Sequence, residues 1–411
     1  MSTKDEARDQ PLASASAVSS PAHQLDEFCA HVLADVSLHD KLRRPDDADQ
    51  FIALVLDTAR QWGFDFGGEQ VAAAMQDRLP TAEGRDVPRQ TALPPAGWLP
   101  IRASWQRGEL YVAWAYFGER RLSAPFFAGD VHRAQHKPFN RLFRYVTPIA
   151  GLADWLQAHP GLRPSGFIFH MSRCGSTLVA RMLASLPQNI VISEADPIDT
   201  VVRADRVRPG LSLDRQAQWL TWMILGLGAN RNDQAQNYVV KLDCWHTLAL
   251  PLFRRAFPDV PWVFLYRDPV EVLVSHRSMP GMQMIPGLLA PDLFDPTDGL
   301  RDPDDYRARV LARICEPVLR QYSEAQALLV NYKDLPQGLW TTIMPFFGLA
   351  CSDSDRAQMA AAARYDAKTP AFEFTPDTAS KQRIATAAVR SAADKWLGAP
   401  YRQLEALRLG S

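Results

Sequence analysis

Paired cysteines, long apolar runs and an excess of charge of either sign are all scarce in this 411-residue chain. Cys29, Cys174, Cys244, Cys315 and Cys351 are odd in number and show no pair spacing, which argues against a disulfide framework and against a zinc knuckle. No stretch approaches the ~18 consecutive apolar residues that a membrane span requires. The opening Met-Ser-Thr-Lys-Asp-Glu has no apolar signal core. A formal net charge of −1 gives no whole-chain basic signature, so bulk nucleic-acid binding is disfavoured. The expectation is a soluble, cytoplasmic protein with neither a membrane nor a nucleic acid as partner. Also missing is the Gly-x-x-x-x-Gly-Lys-Ser/Thr loop of nucleoside triphosphatases. Counted back from Gly175, its first glycine falls at His170 and its lysine at Ser176. Neither a nucleotide lysine nor a magnesium-binding pattern is present. An ATP- or GTP-dependent kinase with an atypical loop is therefore the weaker alternative, and no metal is expected.

What is present begins at residue 165. Phe167-Ile-Phe169 reads as a short buried strand, Met171 to Gly175 as a tight polar loop, and Leu178, Val179, Met182 and Leu183 as one face of a helix. Strand, loop and helix in this order form an anion cradle. The N–H groups of Arg173 to Thr177 gather at a helix start, where the backbone dipole favours negative charge. Gly175 permits close approach, Ser176 and Thr177 offer hydroxyls, and Arg173 brings a permanent cation.

Further along, strands at 190–192, 238–240, 262–266 and 328–330 alternate with helices at 216–227, 248–257, 270–277, 306–322 and 339–347. That alternation predicts an α/β fold with a mostly parallel sheet of the phosphate-loop type, helices on both faces. Ligands of such sheets sit at the carboxyl ends of the strands. Glu194, Lys241, Asp243 and Arg267 all fall there. Arg267 ends one strand and Ser275 follows two helical turns later, a pair suited to a second, separate phosphate.

Upstream, residues 1–22 are rich in Ser, Ala and Pro and read as disordered. Residues 24–78 carry helical faces at Leu25, Phe28, Val32 and Leu33, at Phe51, Leu54, Val55 and Thr58, and over Glu69–Met75, a small three-helix module. A Pro/Gly linker spans 80–97. An aromatic-rich accessory lobe follows at 98–160, with a hairpin turning at Arg107-Gly108. Its Trp114, Tyr116, Phe126, Phe127, Phe139 and Phe143 suit a core, or else a substrate surface. The stretch Met279–Asp305, rich in Pro, Gly and Met, suits a lid or acceptor-binding loop, or a plain insertion. Tyr365, Phe372 and Phe374 are further candidates for the same cleft. The main domain is expected over 165–411.

Two motifs carry a family resemblance. Ser172-Arg-Cys-Gly-Ser-Thr-Leu178 and Tyr266-Arg-Asp-Pro-Val-Glu-Val-Leu-Val-Ser275 resemble, in order and separation, the two signature motifs of the sulfotransferase superfamily, most nearly its tyrosylprotein and bacterial members. The resemblance spans about residues 165–400. It implies an enzyme that transfers a sulfuryl group from 3′-phosphoadenosine 5′-phosphosulfate to a hydroxyl or amine of a small molecule, peptide or carbohydrate. Carried over, the 5′-phosphosulfate lies on Arg173, Cys174, Gly175, Ser176 and Thr177, and the 3′-phosphate on Arg267 and Ser275. Glu194 matches the family's base and Lys241 its sulfonyl-stabilising lysine. Tyr332 fits the Tyr-Glu-Asp strand motif, and Lys381 lies where a basic loop closes over the cofactor. Cys174 stands where the family has Ser, which marks it as a small loop-former. Asp243 occupies the place of the catalytic histidine of cytosolic members and rivals Glu194 as base, with His246 and His170 behind it. Residues 24–78 resemble the leader-type helical domain named Nif-eleven, implying a docking module for a peptide or protein. A non-catalytic peptide-binding scaffold is the remaining alternative. The acceptor is not specified by any of these residues.

Overall fold

The structure is a computed structural model and describes residues 20–76, 93–231, 233–289, 302–365 and 377–410. Phe372 and Phe374, the core of the expected linker, most of the expected disordered terminus and the middle of the 279–305 loop lie outside these residues. The chain divides into two units, one holding the N-terminal helices with Lys137–Phe143, the other Leu79–His136 with Arg144–Ser411.

In the first unit helices run over Pro21–Ala34, Val36–Leu42, Ala48–Gln61 and Gly68–Gln76, with a short helix at Pro138–Leu142. Ser20 and Asp47 cap two of them by accepting the amides of His23 and Gln50. Leu25, Phe28, Val32, Phe51, Val55 and Val71 are buried between them. Phe143 packs its ring 6.3 Å from Phe28 and 6.1 Å from Phe51. Residues 137–143, expected in the accessory lobe, therefore complete the core of the helical unit. The Val36–Leu42 helix, too short to show a face, was not foreseen.

In the second unit β1 (Trp98–Gln106), β2 (Glu109–Tyr116) and β3 (Tyr145–Pro148) form an antiparallel sheet in the order β1-β2-β3. Arg107 and Gly108 both have positive φ, 49° and 79°. That is the two-residue turn whose twist matches paired strands. Trp114 is buried and donates its indole N–H to Thr147 Oγ1 at 3.0 Å, tying β2 to β3.

The main sheet is α/β and wholly parallel: β4 (Gly166–His170), β5 (Asn189–Ser193), β6 (Asn237–Lys241), β7 (Trp262–Tyr266) and β8 (Ala327–Asn331), in the order β5-β6-β4-β7-β8. Phe167, Ile168, Phe169, Tyr238, Val239, Val240, Val263, Phe264 and Leu265 are all at most 2% exposed. Such continuous apolar strands are what a sheet covered on both faces demands. At ~1.5–3 kcal/mol per buried large side chain, this layer contributes much of the unit's stability.

Strand order places the site. From β4 the chain runs outward on one side to β5 and returns through β6. It then crosses to β7 and β8 on the other side. The reversal lies at the carboxyl end of β4, where open α/β sheets leave a crevice.

Two expected helices take other forms. Residues 248–257 split into a 3₁₀ turn, Cys244–Ala249, and a helix, Leu250–Ala256, with Pro251 at the junction. Residues 339–347 begin as a π turn, Leu339–Ile343, followed by Met344–Phe346.

Candidate active site

Each strand of the parallel sheet delivers a polar residue at its carboxyl end: His170 from β4, Glu194 just past β5, Lys241 from β6, Arg267 just past β7 and Tyr332 just past β8. A cavity of about 340 Å³ opens there. Its walls include Arg173, Cys174, Gly175, Ser176 and Thr177, together with Glu194, Asp243, Arg267, Ser275, Tyr332 and Lys381. Of the site residues expected from the family resemblance, Lys241 alone is not in the wall. It is buried behind it and paired with the Glu194 carboxylate.

The cradle is built by unusual backbone. Ser172 and Arg173 have φ of 80° and 52°, and Gly175, at 86°, caps the helix Ser176–Ser185. The first N–H groups of any helix lack an intrahelical acceptor, so those of this helix face the cavity end. A Cβ on Gly175 would meet Leu335 Cδ1 at 2.8 Å and Tyr332 Cδ2 at 2.9 Å, so only glycine fits. Cys174 is turned inward and donates to Leu265 O at 3.0 Å. Burial pushes its thiol up to about 12, which leaves it uncharged. Arg173 Nη2 donates to Met279 O at 2.5 Å, and Gln283 donates to Ser172 Oγ at 3.2 Å. The segment after residue 278 thus lies against the loop, and its Met282 and Gln283 join the cavity wall.

The second cation is held differently. Arg267 is 4% exposed, donates from Nε to Glu271 Oε2 at 2.6 Å and stacks 3.9 Å from the centre of the Tyr332 ring. Tyr332 opens a 3₁₀ turn beyond β8 rather than continuing the strand. Arg267 Nη2 donates to Asp377 Oδ1 at 2.7 Å, and Lys381 Nζ lies 2.6 Å from Asp377 Oδ2. Asp377 therefore sits as an anion between the two cations, a role no sequence pattern had flagged. Burial opposes its charge, but Lys381 and Arg267 together hold it below the usual aspartate value.

On the remaining wall, Glu194 has φ 51° and a quarter of its side chain exposed. Burial would raise its carboxyl. The Lys241 charge and the hydrogen bond from His170 outweigh that and hold it well below the usual glutamate range. Asp243 behaves oppositely: burial pushes it up to about 7. His246 Nε2 is 3.0 Å from Asp199 Oδ1 and 3.8 Å from Asp243 Oδ2. Burial disfavours its charge, yet Asp199 and Asp243 raise its pKa on balance. These three residues cluster within ligand distance of one another, with His246 Nε2 in hydrogen-bond reach of Asp199.

Among the aromatics of the lobe, Phe126 lines the cavity and its ring centre lies 5.2 Å from Lys241 Nζ. Trp114, Phe127, Phe139 and Phe143 are buried instead. Trp245, which no sequence pattern singles out, joins the wall, whereas Tyr365, expected at the cleft, is 43% exposed and outside it.

No protein-family model matches the chain, and no curated protein does. Solved structures with which it aligns include a sulfotransferase of Mycobacterium tuberculosis, at 18% identity over 63% of this chain and 82% of that one, TM-score 0.35. The sulfotransferase domain of a Synechococcus olefin synthase aligns at 18% over 61% and 96%, TM-score 0.36. The sulfotransferase domain of the curacin biosynthetic pathway aligns at 17% over 57% and 91%, TM-score 0.34. At such scores these likenesses carry no weight beyond themselves. Among the described residues, no helix is long and apolar enough to cross a membrane.

Proposed function

We propose that the chain is a sulfotransferase, moving a sulfuryl group from 3′-phosphoadenosine 5′-phosphosulfate to a hydroxyl or amine acceptor. The observation that supports this most is a single cavity lined by two separate anion-binding elements and by a carboxylate. The loop Met171–Gly175 is one element, and Arg267 with Ser275 and Lys381 is the other. The second already holds an anion, the Asp377 carboxylate, so its charge and donors suit a phosphate.

When bound, the phosphosulfate supplies an SO₃ group and a phosphate leaving group in line with it. Arg173 and the amides through Thr177 would hold its 5′ end, and Arg267, stacked on Tyr332, would hold the 3′-phosphate with Ser275. Donors aimed at the oxygens that gain charge contribute typically ~10²–10³ in rate each. Glu194 takes the acceptor proton. Its pairing with Lys241 makes it a weak base at rest. For residues 24–78 a peptide- or protein-docking role is proposed on the leader-domain resemblance alone.

Incubation with donor labelled in the sulfuryl group, across a panel of alcohols, phenols, sugars, peptides and amines, tests transfer. Label on an acceptor is the expected result. A folded protein that binds the bisphosphate product yet labels nothing in the panel would favour a non-catalytic scaffold.

A further inference from the structure

His170 closes β4, is 5% exposed, and uses its two ring nitrogens in different directions. Nδ1 lies 3.1 Å from the backbone N of Ser172 and accepts that N–H. A nitrogen that accepts carries no proton, so in the neutral ring the proton sits on Nε2. Nε2 lies 2.9 Å from Leu242 O and 3.4 Å from Glu194 Oε1, and both are acceptors. Burial, with the Lys241 charge in the same sense and Glu194 opposing, lowers the His170 pKa, which keeps the ring neutral.

Each end of this imidazole reaches a residue whose backbone L side chains rarely adopt: Nδ1 the Ser172 amide, Nε2 the Glu194 carboxylate. Ser172, Arg173 and Glu194 have φ of 80°, 52° and 51°. Non-glycine residues persist in that region where surrounding contacts over-determine them, and such residues cluster at functional sites. Ser172 and Glu194 belong to different strand–loop junctions, and His170 touches both.

We propose that His170 is a positioning residue that keeps the anion-binding loop and the Glu194 carboxylate in register through one neutral imidazole. Nδ1 holds the Ser172 turn, and Nε2–H steadies Glu194. What each end does in turnover rests on the sulfuryl-transfer reading above.

Two amide substitutions separate the ends. In His170→Asn the amide oxygen takes the place of Nδ1 and still accepts from Ser172, but nothing reaches Glu194. In His170→Gln the amide nitrogen takes the place of Nε2, and the Ser172 amide loses its acceptor. In the full-length protein, calorimetry gives the affinity for adenosine 3′,5′-bisphosphate, and donor consumption at saturation gives kcat. The Asn variant is expected to bind within about threefold of the parent while kcat falls at least tenfold. The Gln variant is expected to lose at least tenfold in affinity. Equal losses in both variants, or none in either, would overturn the proposal. Nitrogen NMR of the unsubstituted protein labelled at histidine decides the arrangement independently of any activity. A pyridine-like Nδ1 and pyrrole-like Nε2 at His170 are expected, and the opposite tautomer overturns it. Should the unsubstituted protein fail to bind the bisphosphate, the functional reading falls, while the tautomer still judges the positioning role.

Discussion

Arg267 and Asp377 form an ion pair 2.7 Å long inside the cavity, and the same carboxylate reaches Lys381 at 2.6 Å. Two cations proposed to hold a phosphate thus already hold a carboxylate. A phosphate entering this position must displace Asp377. A partly exposed pair of this kind is worth about 1 kcal/mol or less. Asp377→Asn should therefore tighten binding of adenosine 3′,5′-bisphosphate by up to about fivefold, measured by calorimetry. Weaker binding would mean that Asp377 orients the cations instead of competing for them.

Arg267→Ala should weaken binding of the bisphosphate and should also destabilise the fold. Glu271 is 5% exposed and is paired with Arg267. Stripping one member from a buried pair typically costs ~3–5 kcal/mol. Thermal melting should show a clear loss for Arg267→Ala, and much of it should return in the Arg267→Ala/Glu271→Gln double variant, while binding stays lost in both. Recovery of binding in the double variant would remove Arg267 from the site.

Gly175→Ala places a methyl against Leu335 and Tyr332 at a φ of 86°. A left-handed non-glycine residue costs roughly 1–2 kcal/mol before any clash. Loss of bisphosphate binding is expected, with a lower melting temperature. Unchanged affinity would show that the loop is not the anion cradle.

Glu194→Gln should leave binding near that of the parent and lower transfer by about 10²–10⁴. Asp243→Asn should spare more activity. The reverse ranking would make Asp243 the base. Asp243 also sets a pH dependence. Its folded pKa, about 7, lies above the ordinary aspartate value, so the folded state binds the extra proton and this group's contribution to stability falls as pH rises from about 4 to 7. Asp243→Asn should flatten that part of the stability profile in denaturant titrations at each pH. An unaltered slope would contradict the buried, protonated carboxyl.

Much of the sheet, and which residues gather at its carboxyl end, was legible in sequence because the pattern is local. Trp262–Tyr266 is an uninterrupted apolar run between a proline and Arg267-Asp268-Pro269, and its bounds are those expected. The cradle reads from a strand, a glycine and a helix in succession. What depends on distant contacts was not legible. β3 is only four residues long and includes a proline, and it is a strand because Tyr111 to Trp114 pair with it. Lys137–Phe143 joins the N-terminal helices through Phe143, which looks like any lobe aromatic in sequence. Asp377 lies 110 positions from Arg267 and carries no motif. His170 carried a weak signal: a histidine where nucleotide loops have glycine, whose significance lies in the Ser172 amide that only the folded loop presents.

The proposed function requires one cavity to bind a nucleotide through two phosphate sites. Calorimetric titration of the full-length protein with adenosine 3′,5′-bisphosphate, against adenosine 5′-monophosphate as the single-phosphate control, tests it most directly. Saturable binding of the bisphosphate, at least tenfold tighter than the monophosphate and abolished by Gly175→Ala, is the predicted result. Equal affinity for the two nucleotides, or no binding by folded protein, would contradict it.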